Sequence, residues 1–462
     1  MVVFFTRKLT IFVFSFWTKI ILGFFRYDFA VFGYFGDIIG DVFFPPQAGH
    51  AAMVESFMVF GGAFLMRPIG GCVMGYIGDL YGRKKALEIS IFLMAFPTFA
   101  MGCLPTYNQL GWVSVLLLAL VRMLQGLSVG GQLVSSLVFT VESRPREKWG
   151  LYGSFVMASA NFGTLLGGFV AYALRSSLSE EQLRQFGWRI PFWSGILVSL
   201  SGLYLKMHGV ENSHHHPISV GKNQDSHDHD EPAKNPLLEA FSPGNRRSLM
   251  SAALVPMLWS AGFYVSFVWM AIYMGKLVDP PVPGAFGVNS LSLFISVCLF
   301  FPLTGILSDH FGRTRVMYAG GCSMALTSPF LILIISYGNT IAAFFAQSFM
   351  GIILSLWGGP MCAWLVESFP PSARLTSVAI GYNIAQAVVG GVSPAIATWV
   401  VDEFDTTAPG FFISIIAFFS VFGLYCAPTN YDIPYQKAAF SSVLNDEESS
   451  KPQINVEPGK FT

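Results

Sequence analysis

Arg26, Asp28, Arg67 and Arg122 stand inside long apolar stretches, in "RYDFAVFG", "FLMRPIGG" and "LLLALVRMLQGL". An ionisable group in such a setting costs several kcal/mol unless it faces a cavity or a partner, which makes each one a functional candidate. A carboxyl group like Asp28 can take up and release a proton there. The alternative for Asp28 is a structural ion pair with Arg122 or Arg26. Arg122 offers a planar fork that suits a substrate carboxylate or a carboxylate side chain equally, and Gln132 adds an uncharged polar group further along the same stretch. Arg67, beside Pro68, reads as a helix-packing or gate residue.

A second pattern occurs twice. "GYIGDLYGRKK" (Gly75 to Lys85) returns as "GILSDHFGRTR" (Gly305 to Arg315), and "VESRP" (Val141 to Pro145) returns as "VESFPPSAR" (Val366 to Arg374). Gly75, Asp79 and Gly82 fall at i, i+4 and i+7 and share one face of a helix end, where small residues admit a neighbouring helix. The basic run Arg83, Lys84 and Lys85 suits a helix C-terminus and lies within reach of Glu142. A plain excess of positive charge in loops on one side of a membrane is the simpler reading of such residues.

The elements that must position these groups follow from composition. Of 462 residues, 53% are hydrophobic and only 12% are charged, against roughly 25% charged in soluble domains. A bilayer core of about 30 Å takes roughly 20 mostly apolar residues per helix. Spans of that grade are predicted at 11–40, 52–77, 86–106, 111–139, 150–175 and 188–207, and again at 250–275, 289–308, 316–337, 340–366, 376–401 and 409–427. The expected fold is an all-α membrane protein of twelve transmembrane helices in two six-helix repeats: residues 1–207, a cytoplasmic linker at 208–248, residues 249–428, and a disordered cytoplasmic tail at 429–462.

Most of the 27 Lys and Arg residues, including Arg83, Lys84, Lys85, Arg144, Arg146, Arg246, Arg247, Arg313 and Arg315, fall in segments on the side of both termini, which predicts those termini to be cytoplasmic. Acidic and basic residues balance at 27 each, so no global field argues for nucleic acid. The six cysteines fall in or beside apolar segments without CxxC spacing and read as packing residues. The N-terminal apolar run follows a basic pair but lacks a small-residue cleavage site, so it reads as the start of the first helix and not as a signal peptide. The linker histidines His214, His215, His216, His227 and His229 could ligate a metal, but in a polar low-complexity tract they read as solvated linker. No G-x-x-x-x-G-K-[ST] loop occurs, which disfavours ATP-driven pumping; an enzyme is not expected, nor a cofactor.

The repeated loop motif resembles the signature of the major facilitator superfamily, over nearly the whole chain. "VRMLQGLSVGGQ", "FGWRIPFW", "YDFAVFG", "FLMRPIGG" and the "GGVSPAIATWV" that starts at Gly390 are similar to the metabolite:proton symporters, the closest likeness being to proline/betaine transporters. The resemblance implies that Asp79, Arg83, Glu142, Asp309, Arg313 and Glu367 form a gate that locks the two halves at the cytoplasmic side. It implies proton coupling at Asp28, with Arg26, Arg122 and Gln132 as partners. Two family acids are replaced here, by Phe25 and Gln132, and Arg26 stands where the family has an aromatic residue. In "WSAGFYVSFVWMAIYM" (Trp259 to Met274), Tyr264, Trp269 and Tyr273 offer faces that could hold a quaternary ammonium or simply pack. Trp357, Tyr382, Asn383 and Gln386 are further pocket candidates, the last two sharing a face. The implied function is secondary transport of a small zwitterion or organic acid by proton symport, by a monomer, in the plasma membrane. Rivals are a proton-independent facilitator of neutral solutes and a non-transporting nutrient sensor.

Overall fold

The computed structural model of the protein describes residues 26–45, 51–81, 83–194, 236–371 and 373–428, with side chains at all of these except 51, 52, 78–80, 83, 84 and 87. The predicted start of the first helix, the His-rich stretch of the linker and the C-terminal tail lie outside the described residues, as do the side chains of Asp79 and Arg83. Every regular element among the described residues is helical. An apolar solvent requires this, because helices satisfy their own backbone groups where no water can.

The long elements are α1 (26–34, continued as Gly36–Phe43), α2 (Ala51–Leu65, continued as Arg67–Tyr81), α3 (Arg83–Gly102), α4 (Trp112–Glu142) and α5 (Trp149–Ser177). The short Ile190–Trp193 helix is α6. Then come α7 (Arg246–Leu277), α8 (Ala285–Phe311), α9 (Arg313–Ser336), α10 (Thr340–Glu367), α11 (Arg374–Glu403) and α12 (Ala408–Tyr425). Nine helices among the described residues are long and apolar enough to cross a bilayer.

The surface of the molecule is apolar, unlike that of a soluble protein, while the interior is largely apolar with polar groups set into it. Phe96, Phe169, Leu326, Phe330, Phe345 and Phe418 are exposed, whereas Asp28, Arg122, Gln125, Gln132, Asn161 and Gln347 are buried. Outward apolar side chains match lipid, and inward polar ones need partners or a cavity. The halves meet where α2 packs on α11, α5 on both α8 and α10, and α4 on α11.

The segment assigned to the linker is more ordered at its end than its composition suggests. Pro236–Ala240 is helical, lies against both α2 and α11, and is tied by Asn245 Nδ2 donating to the Glu239 carbonyl at 2.9 Å. The polar start of α7, with Arg246 and Arg247 exposed, extends the helix beyond its apolar stretch. Helix α7 holds π-helical turns at Tyr264–Trp269 and Tyr273–Leu277; α8 and α11 each hold one, at Phe294–Leu299 and Gln386–Gly390. Such turns recur at functional sites, and periodicity does not reveal them. The cysteines are all unpaired; Cys362 alone is buried, and Cys103 and Cys322 face outward. Cys72, Cys298 and Cys426 are half-buried, so the packing reading suits these and Cys362 better than the outward-facing pair.

Candidate functional site

Asp28 on α1 and Arg122 on α4 form a buried ion pair, Nη1 to Oδ2 at 3.3 Å, with side-chain exposures of 2% and 0%. Gln125 completes it: its Nε2 donates to Asp28 Oδ2 at 2.9 Å and to Thr98 Oγ1 at 3.0 Å, while its Oε1 accepts from Arg122 at 2.9 Å. The Arg122 guanidinium also lies over the Phe32 ring, 3.7 Å from its centroid. Removing one member of a buried pair strands the other charge, at a cost of about 3–5 kcal/mol. The protonation state of Asp28 is therefore coupled to the placement of α1 against α4. Gln125 lies inside the stretch "VRMLQGLSVGGQ", where its i+3 spacing from Arg122 puts the two on one face of α4.

Next to this pair lies a cavity lined by Arg26, Phe29, Arg67, Val129, Gln132, Leu133, Tyr382 and Asn383. Helices α1, α2 and α4 supply six of these residues and α11 supplies two, so both halves build the wall. Its volume of about 20 Å³ has room for a water molecule and not for a metabolite. Arg26 Nη1, Arg67 Nε, both amide atoms of Gln132, Tyr382 Oη, Gln386 Nε2 and Tyr264 Oη are buried without a protein partner. An unsatisfied buried polar atom costs about 1–3 kcal/mol, which sets this cluster apart from the satisfied polar groups around it. Arg67 donates to Gln386 Oε1 at 3.3 Å and lies over the Phe64 ring at 3.6 Å. It lines the cavity and also ties α2 to α11, so a place in the cavity wall stands beside the expected packing or gate role. On α5, Asn161 has both amide atoms unpartnered, one turn from Met157, whose Sδ accepts from Arg26.

At the end that carries the repeated motifs, Asp309 accepts from the main-chain N–H groups of Gly150 and Leu151, both at 2.9 Å. These are among the free N–H groups at the start of α5, where the helix dipole favours an anion. Arg313 pairs with Asp309 and, at 3.3 Å, with Glu367. The glycines have distinct duties. A Cβ at Gly305 would collide with Ser154 and the Gly150 carbonyl, so its absence lets α8 meet α5. Gly312, with φ of 93°, adopts the left-handed turn that brings Arg313 back beside Asp309. Glu142 pairs with Arg374 of the other half at 2.8 Å, so it spans α4 and α11 and is more than a local partner for the basic run 83–85.

The opposite end is also tied shut. Asp37 on α1 pairs with Arg175 on α5 and with Lys276 on α7, each at 2.6 Å. Tyr34 donates to the Phe267 carbonyl at 2.8 Å, and Asn289 donates to that same carbonyl at 3.0 Å. Cross-half contacts thus stand at both ends, with a small cavity walled by both halves between them. Asp37, Arg175, Lys276 and Tyr34 escape sequence reading because they lie near helix ends, where charges are ordinary.

Of the aromatic candidates, Tyr382 lines the cavity, and Tyr264 packs on Phe64, at 5.1 Å between ring centroids, the ring that also lies under Arg67. Trp269, Tyr273 and Trp357 do not line it. Trp269 stacks on Tyr273 and donates to Thr398 Oγ1 at 2.8 Å, Tyr273 donates to the Thr406 carbonyl at 2.7 Å, and Trp357 donates to the Val255 carbonyl at 3.1 Å. With rings packed and donors satisfied, these three serve the second half's interior. Asn383 Nδ2 donates to the Gly130 carbonyl at 2.5 Å, crossing between halves at the cavity wall.

Residues 16–272 match the family model described as sugar (and other) transporter. The proline/betaine transporter of Salmonella typhimurium is 31% identical over 395 residues, covering 85% of this chain and 78% of that protein. A glycine betaine/proline/ectoine/pipecolic acid transporter of Dickeya dadantii is 28% identical over 394 residues, with the same coverage of 85% and 78%. Among solved structures, a proton:xylose symporter of the major facilitator superfamily bound to 6-bromo-6-deoxy-D-glucose aligns with a TM-score of 0.68 at 20% identity, covering 94% of this chain and 99% of that one. A partially occluded inward-open form of the xylose transporter from E. coli aligns at 0.69 and 18% identity, covering 90% and 97%. Matched by the family model over more than half its length, and by a 31% identical relative of which it covers 78%, the chain belongs to the sugar (and other) transporter family of the major facilitator superfamily, whose members are membrane transporters and not enzymes.

Proposed function

We propose that the protein is a secondary active transporter that moves a small zwitterion or organic acid by proton symport, with alternating access to the chamber between its halves. The observation that carries this reading is a cavity walled by both halves, with ties across the halves at both ends. A carrier must break one set of ties at a time, so that the cavity opens to either side but never to both. The relatives' names supply the class of solute, and the Asp28–Arg122 pair supplies a carboxylate whose protonation reorganises two helices.

In this reading Asp309, Arg313, Glu367, Glu142 and Arg374 form the cytoplasmic gate, and the sequence repeat assigns Asp79 and Arg83 the same duty in the first half. Asp37, Arg175, Lys276 and Tyr34 form the outer gate. The chain works as a monomer with twelve spans, in the plasma membrane, its termini and linker cytoplasmic. The test is uptake by vesicles containing the purified protein. A proton symporter accumulates labelled solute above equilibrium when the pH gradient is directed inward; equilibration indifferent to that gradient would indicate a facilitator, and the absence of any solute movement would indicate a sensor.

A further inference from the structure

Within the transport reading, and resting on it, we infer that the cavity selects a small organic dianion without a cationic group, such as a dicarboxylate, and rejects zwitterions, with Arg26 and Arg67 as the two anion-binding groups and Gln132 as the residue that sets the preference.

The argument is one of charge. Asp28 and Arg122 cancel each other in their own pair. Arg26 and Arg67 both line the cavity, and among the described residues neither meets a carboxylate: Arg26 contacts Met157 Sδ at 3.7 Å, and Arg67 contacts Gln386 Oε1 at 3.3 Å. The other lining residues, Phe29, Val129, Gln132, Leu133, Tyr382 and Asn383, are neutral. Nor does the sequence before Arg26 or between 195 and 207 contain any Asp or Glu to supply the deficit. Two cations thus face one enclosed space with no protein counter-charge, and burying them that way is costly unless an anion completes the site.

The same residues disfavour an ammonium group. A quaternary ammonium in such a pocket is held by a carboxylate or by an aromatic face. No carboxylate lines the cavity, and of its two aromatic residues Phe29 already lies under Arg67, at 4.6 Å, which leaves the Tyr382 ring alone. An ammonium entering here meets two guanidinium groups in a low dielectric, where like charges repel strongly. A dianion meets two forks, one from α1 and one from α2, each able to hold a carboxylate with paired N–H donors. The free donors Arg26 Nη1, Arg67 Nε, Gln132 Nε2 and Tyr382 Oη are the groups that would complete its hydrogen bonds.

The test is counterflow in vesicles containing the full-length protein, using labelled malonate, succinate and glutarate as dianions, lactate as a monoanion, an alkyl phosphate as a second kind of dianion, and glycine betaine and proline as zwitterions. Counterflow of at least one dicarboxylate, with glycine betaine and proline excluded by about tenfold or more, is the expected result. The Arg26→Gln substitution should weaken the dicarboxylate by about tenfold while narrowing its advantage over lactate, and Arg26→Lys should restore part of the loss. Gln132→Glu should turn selection toward glycine betaine. Wild-type protein that exchanges glycine betaine or proline and ignores every dicarboxylate would overturn the inference and leave the transport reading standing. Preference for the alkyl phosphate among the dianions would still bear it out, whereas preference for lactate over every dianion would overturn it. Failure to exchange any member of the panel would overturn the transport reading, and the inference with it.

Discussion

Asp309 on α8 accepts a hydrogen bond from the main-chain N–H of Gly150 on α5 at 2.9 Å, so a side chain of one half caps a helix of the other. The gate at this end is built from an anion at a helix start, and it can be released without unfolding either helix. The substitution Asp309→Asn keeps one acceptor oxygen and loses the charge, weakening interactions worth about 1.5–3 kcal/mol. We expect the maximal transport rate to change about fivefold or more, with half-saturation altered less than about twofold. A variant that mainly weakens equilibrium binding of solute would show that Asp309 belongs to the binding site and not to the gate.

Gly305 is where α8 comes nearest α5, and a side chain there meets Ser154 and the Gly150 carbonyl. Gly305→Val should hold the halves apart at the motif end while leaving each half's own core alone. A single cysteine at Val129, a cavity residue, should then react with impermeant reagents from the motif side several times faster than it does without the substitution. Unchanged labelling would mean that the α5–α8 contact does not control access.

The opposite end depends on Asp37, which stands between Arg175 and Lys276 at 2.6 Å from each. With Asp37→Asn the two cations lose their shared counter-charge and repel across the seam. The Val129 cysteine should become more reactive from the side opposite the motifs, the reverse of the Gly305→Val result. Equal gains from both sides would contradict the assignment of separate gates.

Topology is open to a direct check. A cysteine placed between residues 212 and 235 should react with impermeant reagents only from the cytoplasmic face of intact cells, since the basic residues concentrate on that side. Labelling from outside would invert the orientation.

The sequence made the motif end legible because its parts are local and repeated: Gly305, Asp309, Gly312 and Arg313 lie within nine positions, and their fold is set by helix periodicity and one left-handed turn. The Asp28–Arg122 pair was legible as one of two pairings, because few charges share the apolar interior. What decided between them was the turn of α1, which points Asp28 at α4 and Arg26 toward Met157. Asp37 and Lys276 belong to different halves, and no spacing rule links them. The aromatic candidates divided by hydrogen bonding: Trp269 and Trp357 donate to fixed acceptors, whereas Tyr382 Oη and Tyr264 Oη are free. For Arg67 the sequence offers only its neighbour Pro68, which says nothing of the Gln386 that it meets from the other half at the cavity wall.

The claim that proton movement drives transport rests on Asp28, whose single carboxylate meets Arg122 and Gln125 in a buried network. The Asp28→Asn variant keeps size and hydrogen-bonding capacity but cannot bind and release a proton. The most direct measurement compares two activities of that variant in vesicles, exchange of labelled for unlabelled solute and accumulation under an inward proton gradient. Exchange requires only that the loaded carrier reorient, so it should persist, while accumulation above equilibrium should be lost. Accumulation as strong as that of the unaltered protein would contradict proton coupling at Asp28 and reduce its pair with Arg122 to a structural tie.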